Sequence, residues 1–288
     1  MSENTLSAAA AGTWTLGDLT VNRMGFGAMR LTATDRDRAV ALLRRAVDLG
    51  VGHIDTAAFY FSPLRSANEL INRALAPYPD GLVIATKVWP ARDPSGDWWW
   101  AEPAQLRGQV EENLRQLGRD HLDLVNLRLP RSRRNGSLAE HFGALAELRD
   151  AGLVRHLGVS HVTAAQLAEA QAIAPVVCVQ NPYGIGAPPE EQALLRSCGE
   201  QGVAYVPFYA IAGSGRDAGS VDLGHAALEE IARAHDATPA QVRLAWTLRQ
   251  GPHVLAIPGT GDPSHLEENI AAGTLELSAE EMARLAVP

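Results

Sequence analysis

Lysine is almost missing from this chain. Lys87 is the only one, and every other member of the 25 basic residues is an arginine. Cysteine is nearly as scarce, with only Cys178 and Cys198 present. Two cysteines cannot build a disulfide framework, and no Cys/His spacing fits a zinc site. A surplus of positive charge is absent too: 25 Lys+Arg stand against 33 Asp+Glu, a net charge of −8. A field of that sign does not draw the chain to nucleic acid or to an anionic membrane. No apolar run approaches the roughly 18 residues of a membrane span. Residues 1–12 are polar and Ala-rich and lack the basic start of a secretory signal. They are expected to be a disordered lead-in, and the chain to work in a reducing cytoplasm.

What is present is a repeat of alternating elements. Short Val/Ile/Leu-rich runs read as strands at Arg23–Gly27, Gly52–Asp55, Leu82–Lys87, Leu122–Leu127, Val154–Ser160, Val176–Gln180, Val203–Pro207 and Val254–Ile257. Several lack polar alternation, as strands covered on both faces do. Amphipathic stretches lie between them. Arg36–Leu49 puts Ala39, Leu42, Leu43, Ala46 and Val47 on one face, and Gly50 ends it. Capping boxes open helices at Thr163, Thr238 and Ser278. Trp14–Val21 reads as a hairpin turning at Gly17-Asp18.

Eight such units across 288 residues, a length typical of one such barrel, predict an α/β fold. The expected form is a single (β/α)8 TIM barrel spanning residues 13–288. The hairpin caps one end, and extra helices lie near the C-terminus. An open dinucleotide-binding sheet needs an early Gly-rich turn before a helix. Gly25-Phe26-Gly27 is followed by Arg30 where a third glycine is required, and Gly213-Ser214-Gly215 precedes more glycine instead of a helix.

In such a barrel, chemistry sits where the strands end. Asp55 ends the second strand, with Tyr60 five residues on; Lys87 ends the third; Arg128 follows the fourth. A lone lysine kept amid arginines marks a place where a compact, tunable ammonium is wanted. An ammonium beside a phenol makes the phenol a better acid, and a carboxylate holds the ammonium in place. Asp55, Tyr60 and Lys87 together suit protonation of a carbonyl oxygen as hydride reaches its carbon. His53 and Asp55 could alternatively hold a metal, but no second ligand cluster accompanies them, so none is expected.

These stretches resemble the aldo-keto reductase superfamily. The resemblance rests on His53-Ile54-Asp55-Thr56-Ala57-Ala58-Phe59-Tyr60, Val83-Ile84-Ala85-Thr86-Lys87, Gly158-Val159-Ser160, Val179-Gln180-Asn181 and Ile257-Pro258-Gly259-Thr260. It implies reduction of an aldehyde or ketone with NADPH, by an Asp-Tyr-Lys-His set. Asp55, Tyr60 and Lys87 fill three places, and Arg128 stands where His is usual. The run Val125-Asn126-Leu127-Arg128 is similar to a bacterial pyridoxal-reductase-like branch. By the same resemblance, Gly27, Ala28, Met29 and Asp55 line the nicotinamide end, Ser160 and Gln180 bond its amide, and His161 stands where Asn is usual. Phe208 stacks on the ring beside Tyr209, and a loop at Ala212–Gly224, including Gly213, covers the pyrophosphate. Gly259, Thr260, His265, Glu268 and Asn269 hold the adenosine end. Gly259 and His265 replace the Lys and Arg of many relatives, so NADPH is expected to be preferred over NADH by a reduced margin. Phe59, Trp89, Trp98 and Arg128 are expected around a small carbonyl substrate, with Trp98-Trp99-Trp100 in a loop after strand three. Two alternatives accompany this reading: a pathway-specific ketoreductase of secondary metabolism, and a nucleotide-binding regulatory protein with little turnover.

Overall fold

A computed structural model describes residues 6–130, 136–211 and 226–286. Strands β1 (Thr13–Leu16) and β2 (Leu19–Asn22) form the predicted antiparallel hairpin. β3 (Phe26–Gly27), β4 (His53–Asp55), β5 (Phe61–Ser62), β6 (Arg65–Ser66), β7 (Val83–Val88), β8 (Pro90–Arg92) and β9 (Trp98–Trp100) follow. β10 (Leu122–Arg128), β11 (Val154–Ser160), β12 (Cys178–Gln180) and β13 (Ala204–Tyr205) complete the strands. The helices are α1 (Arg36–Asp48), α2 (Ala67–Leu75), α3 (Leu106–Leu117), α4 (Ala139–Asp150), α5 (Ala164–Ile173), α6 (Pro189–Glu200), α7 (Ala226–Ala234), α8 (Pro239–Leu248), α9 (Pro263–Ala271) and α10 (Ala279–Ala286).

Seven strands form one parallel sheet in the order β13-β12-β11-β10-β7-β4-β3. Residues 253–258 close it. Tyr205 N bonds His253 O and Leu255 N bonds Tyr205 O, each at 2.9 Å; Ala256 N bonds Arg23 O at 2.9 Å and Gly25 N bonds Ala256 O at 2.8 Å. This eighth stave differs from the strand expected at Val254–Ile257. It makes only single bridges, Tyr205 to Val254 and Met24 to Ala256, because its run of ladder bonds to either neighbour is too short. The closed (β/α)8 architecture stands.

The two-residue period of the strands sorts side chains into two cores. Val83, Ala85, Leu124, Cys178, Ala204, Val206 and Leu255 fill the barrel interior together with Leu16 and Val21 from the hairpin. The alternate residues Ile54, Ile84, Val125, Leu127, Val159 and Val179 pack against the helices. The hairpin plugs the end where strands begin: Asp18 binds Arg155 and His156, near the start of β11, at 2.6 Å each. The opposite end is open.

The expected disordered lead-in is corrected over residues 6–12. Ala8–Ala11 form a 3-10 turn capped by Ser7, with Ala8 and Ala11 buried, because small side chains there fit against the last helical layer. Trp98-Trp99-Trp100 is likewise a strand and not a loop, paired antiparallel with β8. No helix among the described residues is long and apolar enough to cross a membrane.

Candidate active site

Register brings the charged pair together. Asp55 on β4 lies opposite Ala85 on β7, so Lys87 stands two residues nearer the mouth on the same inner face. Its four-carbon stem reaches back. Nζ donates to Asp55 Oδ1 at 2.8 Å, Asp55 Oδ2 at 2.7 Å and Thr56 O at 2.9 Å, using all three protons. Both side chains are buried, Lys87 to 2% exposure. Gln180 Nε2 adds a third N–H bond to Asp55, at 2.7 Å on Oδ1. Tyr60 comes in on the turn after β4, closed by Tyr60 N donating to Ala57 O at 2.9 Å. The Lys87 ammonium lies 4.8 Å from the centroid of its ring. Sequence reasoning placed these three together, and so does the structure.

The neighbouring residues, Thr56 and Thr86, face the helices. Thr56 Oγ1 donates to Asn68 Oδ1 of α2 (2.7 Å), Asn68 Nδ2 to Asn113 Oδ1 of α3 (2.9 Å), and Thr86 Oγ1 to Asn113 Oδ1 (2.6 Å). A buried amide network thus fixes the backbone carrying Asp55 and Lys87. Sequence reasoning missed it, although the signal was there: Asn113 interrupts the apolar stripe Leu106, Val110, Leu117 at helical spacing.

A cleft of about 1450 Å³ opens over the strand ends, lined by Gly27, Met29, Asp55, Tyr60, Lys87, Arg128, Gln180, Phe208 and Tyr209. It continues to Gly259, Thr260, His265, Glu268 and Asn269. Ala28 does not line it. That residue is buried, and its N–H donates to Asp55 O at 2.8 Å, so its part is to hold β3 against β4. Ser160 and His161 lie just behind the lining. Ser160 Oγ and Gln180 Oε1 are buried without a hydrogen-bond partner, which suits an incoming carboxamide that both donates and accepts. His161 stacks on Phe208 with ring centroids 5.2 Å apart. Gly213 and the rest of the Ala212–Gly224 loop lie outside the described residues.

Backbone packing explains the glycine at position 259. A Cβ there would fall 2.5 Å from Gly27 O, so no lysine fits while β3 and the closing stave keep this approach. Nearby, Asp262 caps α9, and Arg38 of α1 donates to it at 2.5 Å. Bonds from Ser264, with Arg38 and His265 close by, push the Asp262 carboxyl down to about 2.

On the substrate side, Phe59 meets Tyr60 and Trp98 edge-on at 5.1 and 5.5 Å. Arg92, which sequence reasoning missed, lies over Phe61 (5.1 Å) and Trp98 (5.6 Å). Trp89 is a correction. It is buried to 2%, stacks on His141 at 3.8 Å and lines no part of the cleft. Its φ of 95° turns the chain sharply after Lys87, aiming the ring into the helical layer. Arg128 lies opposite Ser160 across β10 and β11, its guanidinium carbon 5.1 Å from the Phe208 centroid.

Comparison with known proteins accords with this geometry. The aldo/keto reductase family pattern matches residues 23–286. Pyridoxine 4-dehydrogenase of Escherichia coli is 42% identical over 288 residues, covering 96% of this chain and 98% of the relative. The thermostable aldo-keto reductase Tm1743, crystallised with the inhibitor epalrestat, superposes with a TM-score of 0.78 at 33% identity, covering 94% of this chain and 96% of that one. An aldo/keto reductase from Klebsiella pneumoniae, in complex with NADP and acetate, gives a TM-score of 0.78 at 29% identity, covering 92% and 90%. The chain belongs to the aldo/keto reductase family.

Proposed function

We propose that this protein reduces an aldehyde or ketone to the alcohol with NADPH, and that pyridoxal or another aromatic aldehyde is its substrate. The observation carrying the reading is the buried Lys87–Asp55 pair beneath the Tyr60 ring in an open cleft. When bound, NADPH supplies the hydride for the carbonyl carbon. Tyr60 gives its hydroxyl proton to the carbonyl oxygen. Lys87 stabilises the phenolate that results, and Asp55 with Thr56 O holds the ammonium in place. Ser160 and Gln180 would hold the nicotinamide amide, and Phe208 its ring. Thr260, His265, Glu268 and Asn269 would hold the adenosine end. Support for the aromatic substrate comes from the Phe59, Phe61 and Trp98 wall, and from the similarity to pyridoxine 4-dehydrogenase.

Following NADPH absorbance over an aldehyde panel that includes pyridoxal tests the reading. Tyr60→Phe is expected to lose at least about 1000-fold in kcat, on the scale of a removed proton donor, while NADPH binding by fluorescence stays intact. A fully active variant overturns Tyr60 as the acid. Arg128 in the place of His favours one other reading, a protein that binds NADPH and turns over little. Tight NADPH binding without oxidation across the panel would establish that one instead.

A further inference from the structure

Among the described residues, the charges around the reacting end do not balance. Lys87 is matched by Asp55, and that carboxylate is fully engaged by Lys87 and Gln180. The other acidic residues lining the cleft, Asp35, Asp262 and Glu268, stand toward α1 and α9, at the far end. Arg128 faces the cleft beside Tyr60 and Lys87 with no hydrogen bond or ion pair to any described residue; its contact is the face of Phe208. An unpaired guanidinium on a half-buried wall presents N–H donors in a rigid fork and gains most from a bidentate anion.

We infer that Arg128 is a specificity residue, selecting carbonyl substrates that carry an anionic oxygen on the atom next to the carbonyl or ortho to it. Two sources share that chemistry: a 2-oxo carboxylate, and an aryl aldehyde with an ionised ortho hydroxyl. The fork grips the anion, and the neighbouring carbonyl oxygen is left for the Tyr60 hydroxyl. Hydride and proton are delivered as before, so Arg128 changes which carbonyl is seated and not the step itself. This rests on the reductase reading given above.

Matched pairs test it. Phenylglyoxylate is compared with its methyl ester, and 2-hydroxybenzaldehyde with benzaldehyde across the ionisation of the phenol. Both kcat/KM and Kd are measured, the latter by quenching of tryptophan fluorescence. In the wild-type enzyme at least one anionic partner is favoured about tenfold or more, the least expected of a charge-assisted bond; which one identifies the source. Arg128→Gln brings that ratio close to one, and Arg128→Lys keeps part of it. A wild-type ratio near one in both pairs overturns the inference, as does a ratio unchanged in Arg128→Gln. If no compound is turned over, the reductase reading falls, and the Kd ratios still decide the role of Arg128.

Discussion

At the scale of one residue, Lys87 makes the sharpest claim. Its ammonium and the Asp55 carboxylate are both buried and bonded to each other at 2.7 Å. Replacing one partner strands the second, which costs about 3–5 kcal/mol. Lys87→Met is therefore expected to lower the unfolding free energy by about that much. The double variant Lys87→Met/Asp55→Leu should recover much of it, because no buried charge remains. Reduction should be lost in both, so urea unfolding separates the two effects where activity cannot. Lys87 was legible from composition alone, since a chain that otherwise writes only arginine singles it out. Arg128 was legible from its place at a strand end. Trp89 was not. Its nearness to Lys87 in sequence suggested the substrate wall, but a single left-handed φ turns the ring to the opposite side, and no period or composition signals such a turn.

Helices and strands hold the site through contacts that single residues do not reveal. Asn113 accepts from both Thr86 and Asn68, tying the back of β7 to α2 and α3. Asn113→Leu matches the apolar stripe of α3 better yet orphans the buried Thr86 hydroxyl, at a cost of about 1–3 kcal/mol, and leaves Asn68 Nδ2 with Gln116 Oε1 alone. The expected result is a less stable protein with a kcat lower by about tenfold, from loosened positioning; thermal melts and kcat together check it. At the far end, where Gly259 stands in place of lysine, the guanidinium groups of Arg30 and Arg38 line the cleft with the His265 imidazole among the described residues. Arg38→Ala should raise the KM for NADPH by about tenfold, one charge-assisted contact, and barely move that for NADH. The long strands were legible because a doubly covered strand is uninterruptedly apolar. The closing stave, the two-residue strands and the β8–β9 hairpin were less so. Their pairing is set by the curl of the whole barrel, and β9 is three tryptophans with no alternation to mark an inner face.

The whole molecule couples acid stability to the barrel floor. His53 is on β4 two residues before Asp55, and a Cβ on Gly25 would fall 2.2 Å from its ring, so the imidazole occupies the space that the glycine leaves. Burial pushes its pKa down to about 4, against the pull of the nearby Asp55. In the unfolded chain the same group titrates near 6.5, so between these values the unfolded state binds the extra proton and the folded state does not. Stability from His53 is then complete above pH 6.5 and drains away as pH falls toward 4. Between pH 7 and pH 5 the loss is about 2 kcal/mol. His253, also lowered by burial, acts in the same direction. Urea unfolding of the wild type at pH 7, 6 and 5 should show this decline, and His53→Met, similar in bulk but without a titrating group, should show a shallower one that His253 still drives. An equal slope in the two proteins would move the acid sensitivity elsewhere. β4 carries both His53 and Asp55, so unfolding that exposes the imidazole also separates the carboxylate from Lys87. A loss of about 2 kcal/mol leaves a domain of ordinary stability folded, so reduction by the wild type should be lost in urea at a lower concentration at pH 5 than at pH 7.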